Sequence, residues 1–271
     1  MGDVPHDARL YTSQTLLALA SSPLAWTGDG ALRVVGYSMG GGIAVHFAGA
    51  FPRMVSSLVL LAPAGLIRAE NFGTVTRYIF TSGVVPTRIL SALTARRLRK
   101  PIAADSKKKG QGQGGKAAAN GNGVHAAAPL GTEDRRGSID PIGASLAEAS
   151  GPAGTASTPL EKRVLDYVQW MVKHHQGFIP AFCGSIAEAP LIGQEEAYAK
   201  LALREKGTTA VILGERDEII DPTDYETDAL PLAGGHEKVH WTIIPGGAHD
   251  FPMTHARETL RVIYELWDLE A

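Results

Sequence analysis

Cys183 is the only cysteine in the 271 residues, so no disulfide can form within the chain. Without a cluster of Cys and His, no metal site is suggested either. No apolar run approaches the ~20 residues of a membrane-spanning helix. Neither sign of charge dominates, since 26 Lys and Arg against 28 Asp and Glu leave a formal net charge of −2. That balance gives no electrostatic footprint for nucleic acid or an anionic membrane. The opening MGDVPHDARLYTSQTLLALASS has early acidic residues and only a short amphipathic apolar run. It does not read as a signal peptide, and a cytoplasmic location is expected. What remains is ordinary for a globular chain: 44% hydrophobic residues, and length for one domain with an insertion or for two at most. The expected partner is a small molecule, and nothing indicates an oligomeric state.

Short apolar runs at 32–35, 58–62, 209–213 and 239–244 are rich in leucine and β-branched residues. They suit strands buried on both faces of a parallel sheet. Helices are expected between them at about 41–51 and 223–230, with a last one over 254–267 that puts Leu260, Ile263, Leu266 and Trp267 on one face. Asp7 can cap a first helix running to about Ser21, with Leu10, Leu16, Leu17 and Ala20 at helical spacing. Strands alternating with helices predict an α/β sheet. The second and third strands are separated by far more chain than one crossover needs. Residues 71–99 read as two helices. Residues 105–158 are rich in Gly, Ala, Ser and Lys and read as a disordered linker, Lys107, Lys108 and Lys109 included. Residues 160–206 read as helical again, with Trp170 in a core, His174 and His175 on a solvated face, and Cys183 as a small apolar residue.

The sequence GYSMG at Gly36 to Gly40 stands between an apolar run and the small-residue stretch GGIAVHFA. Strand, sharp turn and helix are expected, with the Ser38 hydroxyl held out at the turn. Gly36 and Gly40 would keep side chains out of so tight a bend. A serine hydroxyl needs a neutral imidazole to take its proton and a buried carboxylate to fix that imidazole's tautomer. Asp217 is the best-placed carboxylate, ending the apolar strand in TTAVILGERDEIIDP; Glu215, Asp221 and Asp224 are its rivals. His249, in the glycine-rich loop IPGGAHDFP after the last strand, is the best-placed imidazole. His236, His240 and His255 compete with it.

With the order serine, acid, histidine on such a framework, the chain resembles the α/β-hydrolase fold superfamily. The resemblance implies a mostly parallel sheet flanked by helices. It divides the chain into a first core part at 1–63, a helical cap or lid at 64–206 and a second core part at 207–271. It implies Ser38 as nucleophile, Asp217 as acid, His249 as general base and the Met39 backbone N–H as oxyanion donor, with no cofactor and no metal. The activity implied is a serine hydrolase acting on an ester, thioester or amide, carboxylic esters foremost. The alternative is a non-catalytic hydrolase-like module, or an inactive fragment, that binds through the cap. The sequence departs from the family in having only about 30 residues before the elbow strand and no His-Gly pair upstream of Ser38 to bring a second oxyanion donor. N-terminal strands are therefore expected to be missing, with the elbow strand at an open sheet edge. Activity is expected to fall as pH drops through about 6.5, where an ordinary histidine base becomes charged. A pH–rate profile for ester hydrolysis checks this.

Overall fold

The structure, a computed structural model, describes residues 4–68, 94 and 159–269. The helices expected over 71–99 and the linker expected over 105–158 lie outside the described residues. Four parallel strands form one sheet: β1 (Leu32–Tyr37), β2 (Val55–Leu61), β3 (Thr209–Gly214) and β4 (Val239–Ile244), neighbours in that order. Tyr37 stands level with Leu61, Leu61 with Ile212, and Gly214 with Ile244, so all four carboxyl ends share one edge.

All four strands were expected to be buried on both faces, and only the two central ones are. Leu58, Val59, Leu60, Ile212 and Leu213 are wholly buried. Each such side chain stabilises the fold by roughly 1.5–3 kcal/mol relative to an exposed one. The outer strands are only partly buried, and Val35 on β1 and Ile243 on β4 are 46% and 39% exposed. Among the described residues each has a sheet neighbour on one side alone. Among the described residues the elbow strand β1 therefore stands at an edge of the sheet.

Helices α1 (Ala8–Ala20) and α2 (Met39–Ala50) come from the first part of the chain. Asp7 caps α1 by accepting the Leu10 N–H at 2.9 Å. Leu16 and Leu19 pack against the core, whereas Leu17, expected on that face, is exposed. The second part supplies α3 (Pro159–His174), α4 (Phe178–Glu188), α5 (Glu195–Ala199), α6 (Pro222–Leu232), α7 (Phe251–Thr254) and α8 (Ala256–Trp267). The single terminal helix expected is therefore two, broken at His255. Ile263 of α8 is buried and Leu266 and Trp267 pack on the core, but Leu260 faces outward. Trp170 of α3 is half-exposed, not a core residue. Its ring stacks on Tyr167 at 6.2 Å and lies 5.5 Å from that of His174, so aromatic neighbours on the helix surface take the place of a core. His174 and His175 are exposed, and Cys183 is buried in α4.

The chain leaving β2 is sewn to elements of the 159–269 segment. The Gly65 N–H donates to the Leu191 carbonyl (2.9 Å), and the Gln194 N–H donates to the Gly65 carbonyl (3.0 Å). The Tyr198 hydroxyl donates to the Ala64 carbonyl (2.9 Å), while the Tyr225 hydroxyl accepts the Leu66 N–H (3.0 Å). Both rings are buried, and burial raises both phenols well above their ordinary pKa of 10.0. They therefore stay neutral, able to donate as well as accept. Arg68 adds a fork to α6, with Asp228 at 2.7 and 3.1 Å and Asp224 at 2.7 Å.

Candidate active site

Strand β1 ends at Tyr37 and α2 begins at Met39, so Ser38 alone makes the turn between them. Its φ of 53° and ψ of −124° are strained for a residue with a side chain. Such a conformation costs about 1–3 kcal/mol and persists only where surrounding bonds impose it. Here the Ser38 N–H donates to the Leu61 carbonyl at 2.9 Å. The Ser38 carbonyl accepts from Gly41 (2.8 Å), Gly42 (3.3 Å) and Ala64 (2.9 Å). Sheet, helix and the loop after β2 all pull on one peptide.

The glycines divide their work differently from the sequence expectation. A Cβ on Gly36 would stand 2.6 Å from the Gly40 carbonyl and 2.7 Å from the Ala44 Cβ, so Gly36 is needed. Gly40 meets open space. The crowding falls on the next two positions. A Cβ on Gly41 would meet Pro63 at 2.6 Å, and one on Gly42 the Pro190 carbonyl at 2.6 Å. Helix α2 approaches the loop after β2 along its inner side, while Gly40 points away. Met39 is the first residue of that helix, so its N–H has no acceptor within the helix.

Asp217 follows β3 directly. Its Oδ1 accepts the N–H groups of Ile219 (2.9 Å) and Ile220 (2.8 Å). Its Oδ2 lies 2.8 Å from His249 Nδ1, and the carboxylate is wholly buried. With Nδ1 donating to the carboxylate, Nε2 is left as an acceptor, and it stands 3.0 Å from the Ser38 hydroxyl oxygen. Ser38, Asp217 and His249 thus form one continuous hydrogen-bonded chain, built from the carboxyl ends of three strands.

The imidazole starts from the far edge of the sheet. Because β1 and β4 are three strand spacings apart, the loop after β4 must cross roughly 14 Å of sheet edge to reach Ser38. Gly214 at the end of β3 makes room for it: a Cβ there would stand 2.5 Å from the Gly247 carbonyl and 2.7 Å from the Ala248 carbonyl. The Arg216 N–H holds the Gly247 carbonyl at 2.8 Å, and the wholly buried Phe251 anchors the loop's exit. Gly214→Ala is expected to lift this loop and slow reaction of Ser38 with an acylating probe roughly 10- to 100-fold, the order expected when a catalytic group moves by about 1 Å. The rate of covalent labelling measures this, and an unchanged rate would show that the loop has slack.

The competing carboxylates and imidazoles are engaged elsewhere. Glu215 accepts the Gly246 N–H at 2.6 Å. Asp221 caps α6 through Thr223 (2.8 Å) and Asp224 (3.1 Å), and Asp224 itself pairs with Arg68. His236 faces Glu226 at 3.5 Å, His240 is exposed on β4, and His255 lies 3.0 Å from the Thr254 hydroxyl between α7 and α8. Among the described residues no group of three or more His, Cys, Asp or Glu side chains is arranged to hold a metal. No helix among them is long and apolar enough to cross a membrane. Gly214, Tyr198 and Tyr225 do not stand out in the sequence as parts of the site. A glycine closing the strand before the acid was the one local signal for Gly214; the tyrosines gave none, since their partners are backbone atoms distant in sequence.

Comparison with known proteins adds the family. No curated protein sequence matches the chain. Among solved structures, a meta-cleavage product hydrolase from Pseudomonas fluorescens IP01 superposes with a TM-score of 0.52 at 13% identity, covering 99% of this chain and 74% of its own. A bromoperoxidase from Bacillus anthracis gives a TM-score of 0.57 at 15% identity, covering 98% of this chain and 75% of its own. A structure described with the carboxylesterases of Nitrososphaera gargenis gives 0.53 at 12% identity, covering 99% and 74%. At such identities the likeness is one of fold. A sequence model of the alpha/beta hydrolase fold matches residues 20–256. With a parallel sheet, a strand–serine–helix turn and a match over most of its length, the chain belongs to the α/β-hydrolase fold family.

Proposed function

We propose that the protein is a serine hydrolase cleaving an ester, thioester or amide of a small organic substrate, with carboxylic esters the favoured class. The observation that carries this reading is the Ser38–His249–Asp217 chain, at 3.0 and 2.8 Å. Solved relatives of the fold that are described as hydrolases and carboxylesterases support the class.

In this reading Ser38 Oγ attacks the substrate carbonyl carbon while its proton passes to His249 Nε2. The buried Asp217 carboxylate meets the positive charge that the ring then carries. The tetrahedral oxyanion lies against the Met39 N–H, at the positive end of α2. The bond to the leaving group breaks as His249 returns its proton to that group, which leaves as an alcohol, thiol or amine. Water then attacks the acyl-Ser38 ester, giving its proton to His249, and collapse releases the acid and restores the serine.

A fluorophosphonate probe tests the proposal, because it phosphonylates an activated serine far faster than an ordinary hydroxyl. One probe per folded molecule, located at Ser38 by peptide mass analysis, is the expected result. Folded protein that stays unlabelled would favour the non-catalytic binding module.

A further inference from the structure

The tyrosine beside the nucleophile has a second attachment. Tyr37 closes β1, and its side chain reaches the residue that carries the imidazole, 212 positions away. The Tyr37 hydroxyl donates to the His249 backbone carbonyl at 2.9 Å. Its ring lies against the imidazole, with centroids 5.3 Å apart and planes tilted by 33°. From the Ser38 oxygen one can pass to Nε2, through His249 to its carbonyl, across to the Tyr37 hydroxyl and back along the chain to Ser38. Other routes from Ser38 to His249 run through β2 and β3 and then either across Asp217 to the ring or along the loop after β4.

We infer that Tyr37 is a positioning residue that fixes the proton-transfer distance between Ser38 and His249. The inference rests on the reading of Ser38 and His249 as nucleophile and base. The loop needs such a tie. Glu215 and Arg216 hold Gly246 and Gly247, upstream of the imidazole, and the Tyr37 bond acts on His249 itself. Asp217 restrains the ring at Nδ1, whereas the Tyr37 hydroxyl acts on the backbone of His249. The strand that presents Ser38 is an edge strand with one sheet neighbour among the described residues. A bond from that strand to the His249 carbonyl makes any drift of β1 carry the imidazole along with the serine. The ring packed against the imidazole limits the remaining tilt.

The test is Tyr37→Phe, which keeps the ring and deletes the hydroxyl, alongside Tyr37→Leu, which removes both. Fluorophosphonate labelling is followed to completion, so that the end-point counts competent molecules and the rate constant reports positioning. For Tyr37→Phe the expected result is a rate roughly 2- to 12-fold slower than wild type, the equivalent of one neutral hydrogen bond, with an unchanged end-point. Tyr37→Leu should be slower still. Hydrolysis of p-nitrophenyl acetate should show the loss in kcat with KM little altered. Equal rates for wild type and Tyr37→Phe, or a loss wholly accounted for by a lower end-point, overturn the inference while leaving the hydrolase reading intact. Wild-type protein that never labels defeats the hydrolase reading and this inference with it.

Discussion

Ser38→Ala is expected to abolish covalent labelling and to lower ester hydrolysis by about 10⁶-fold, the loss seen when the nucleophile of such a constellation is removed. Among the described residues, Ser38 is the serine hydroxyl within hydrogen-bond distance of His249 Nε2. The variant should remain folded. Alanine meets the same strain at φ 53°, and the bonds that impose the turn are made by the Ser38 backbone N–H and carbonyl. The side chain makes one hydrogen bond and belongs to no core cluster, so the midpoint of thermal unfolding should hardly move. Residual hydrolysis in Ser38→Ala above a few per cent of wild type would mean that the chemistry runs elsewhere.

Asp217→Asn should cost about 10⁴-fold, through the tautomer of His249. Oδ1 of Asp217 accepts two backbone N–H groups, from Ile219 at 2.9 Å and Ile220 at 2.8 Å. An asparagine must keep its carbonyl oxygen there, because an NH₂ group cannot accept them. Its NH₂ group then faces His249 Nδ1, which has to become the acceptor. The ring proton moves to Nε2 and points at the Ser38 hydroxyl, leaving no base for the nucleophile. The amide matches the carboxylate in shape, so the fold is retained and the labelling rate carries the whole effect. Labelling within 10-fold of wild type would show that Asp217 is a structural carboxylate, binding the 219–220 turn and no more.

The order of elements was readable before any coordinates. Runs such as Leu58 to Ala62 and Thr209 to Leu213 are continuously apolar, and the pattern survives in isolation because burial on both faces leaves no position for a polar residue. The same rule misjudged β1 and β4. Their sequences are nearly as apolar, but a strand's neighbours are not written in its own residues, and both strands lie at sheet edges. Trp170 failed for a related reason: helical periodicity marks a face without saying what covers it. Gly40 was assigned a crowding that belongs to Gly41 and Gly42, since the crowding atoms, Pro63 and Pro190, arrive from remote parts of the chain.

The site divides in the same way. The turn at Ser38 is set locally, by a strand, a serine and a run of glycines, and the sequence alone points to one carboxylate after β3 and one imidazole after β4. The three-dimensional arrangement selects His249 to reach the Ser38 hydroxyl and Asp217 to reach His249, while Glu215, Asp221 and His255 are engaged elsewhere. That selection depends on a loop crossing the end of β3 over a glycine and on backbone donors that hold one carboxylate oxygen so that the other can face the ring. These are distances between residues far apart in the chain, and no local pattern of side chains encodes them.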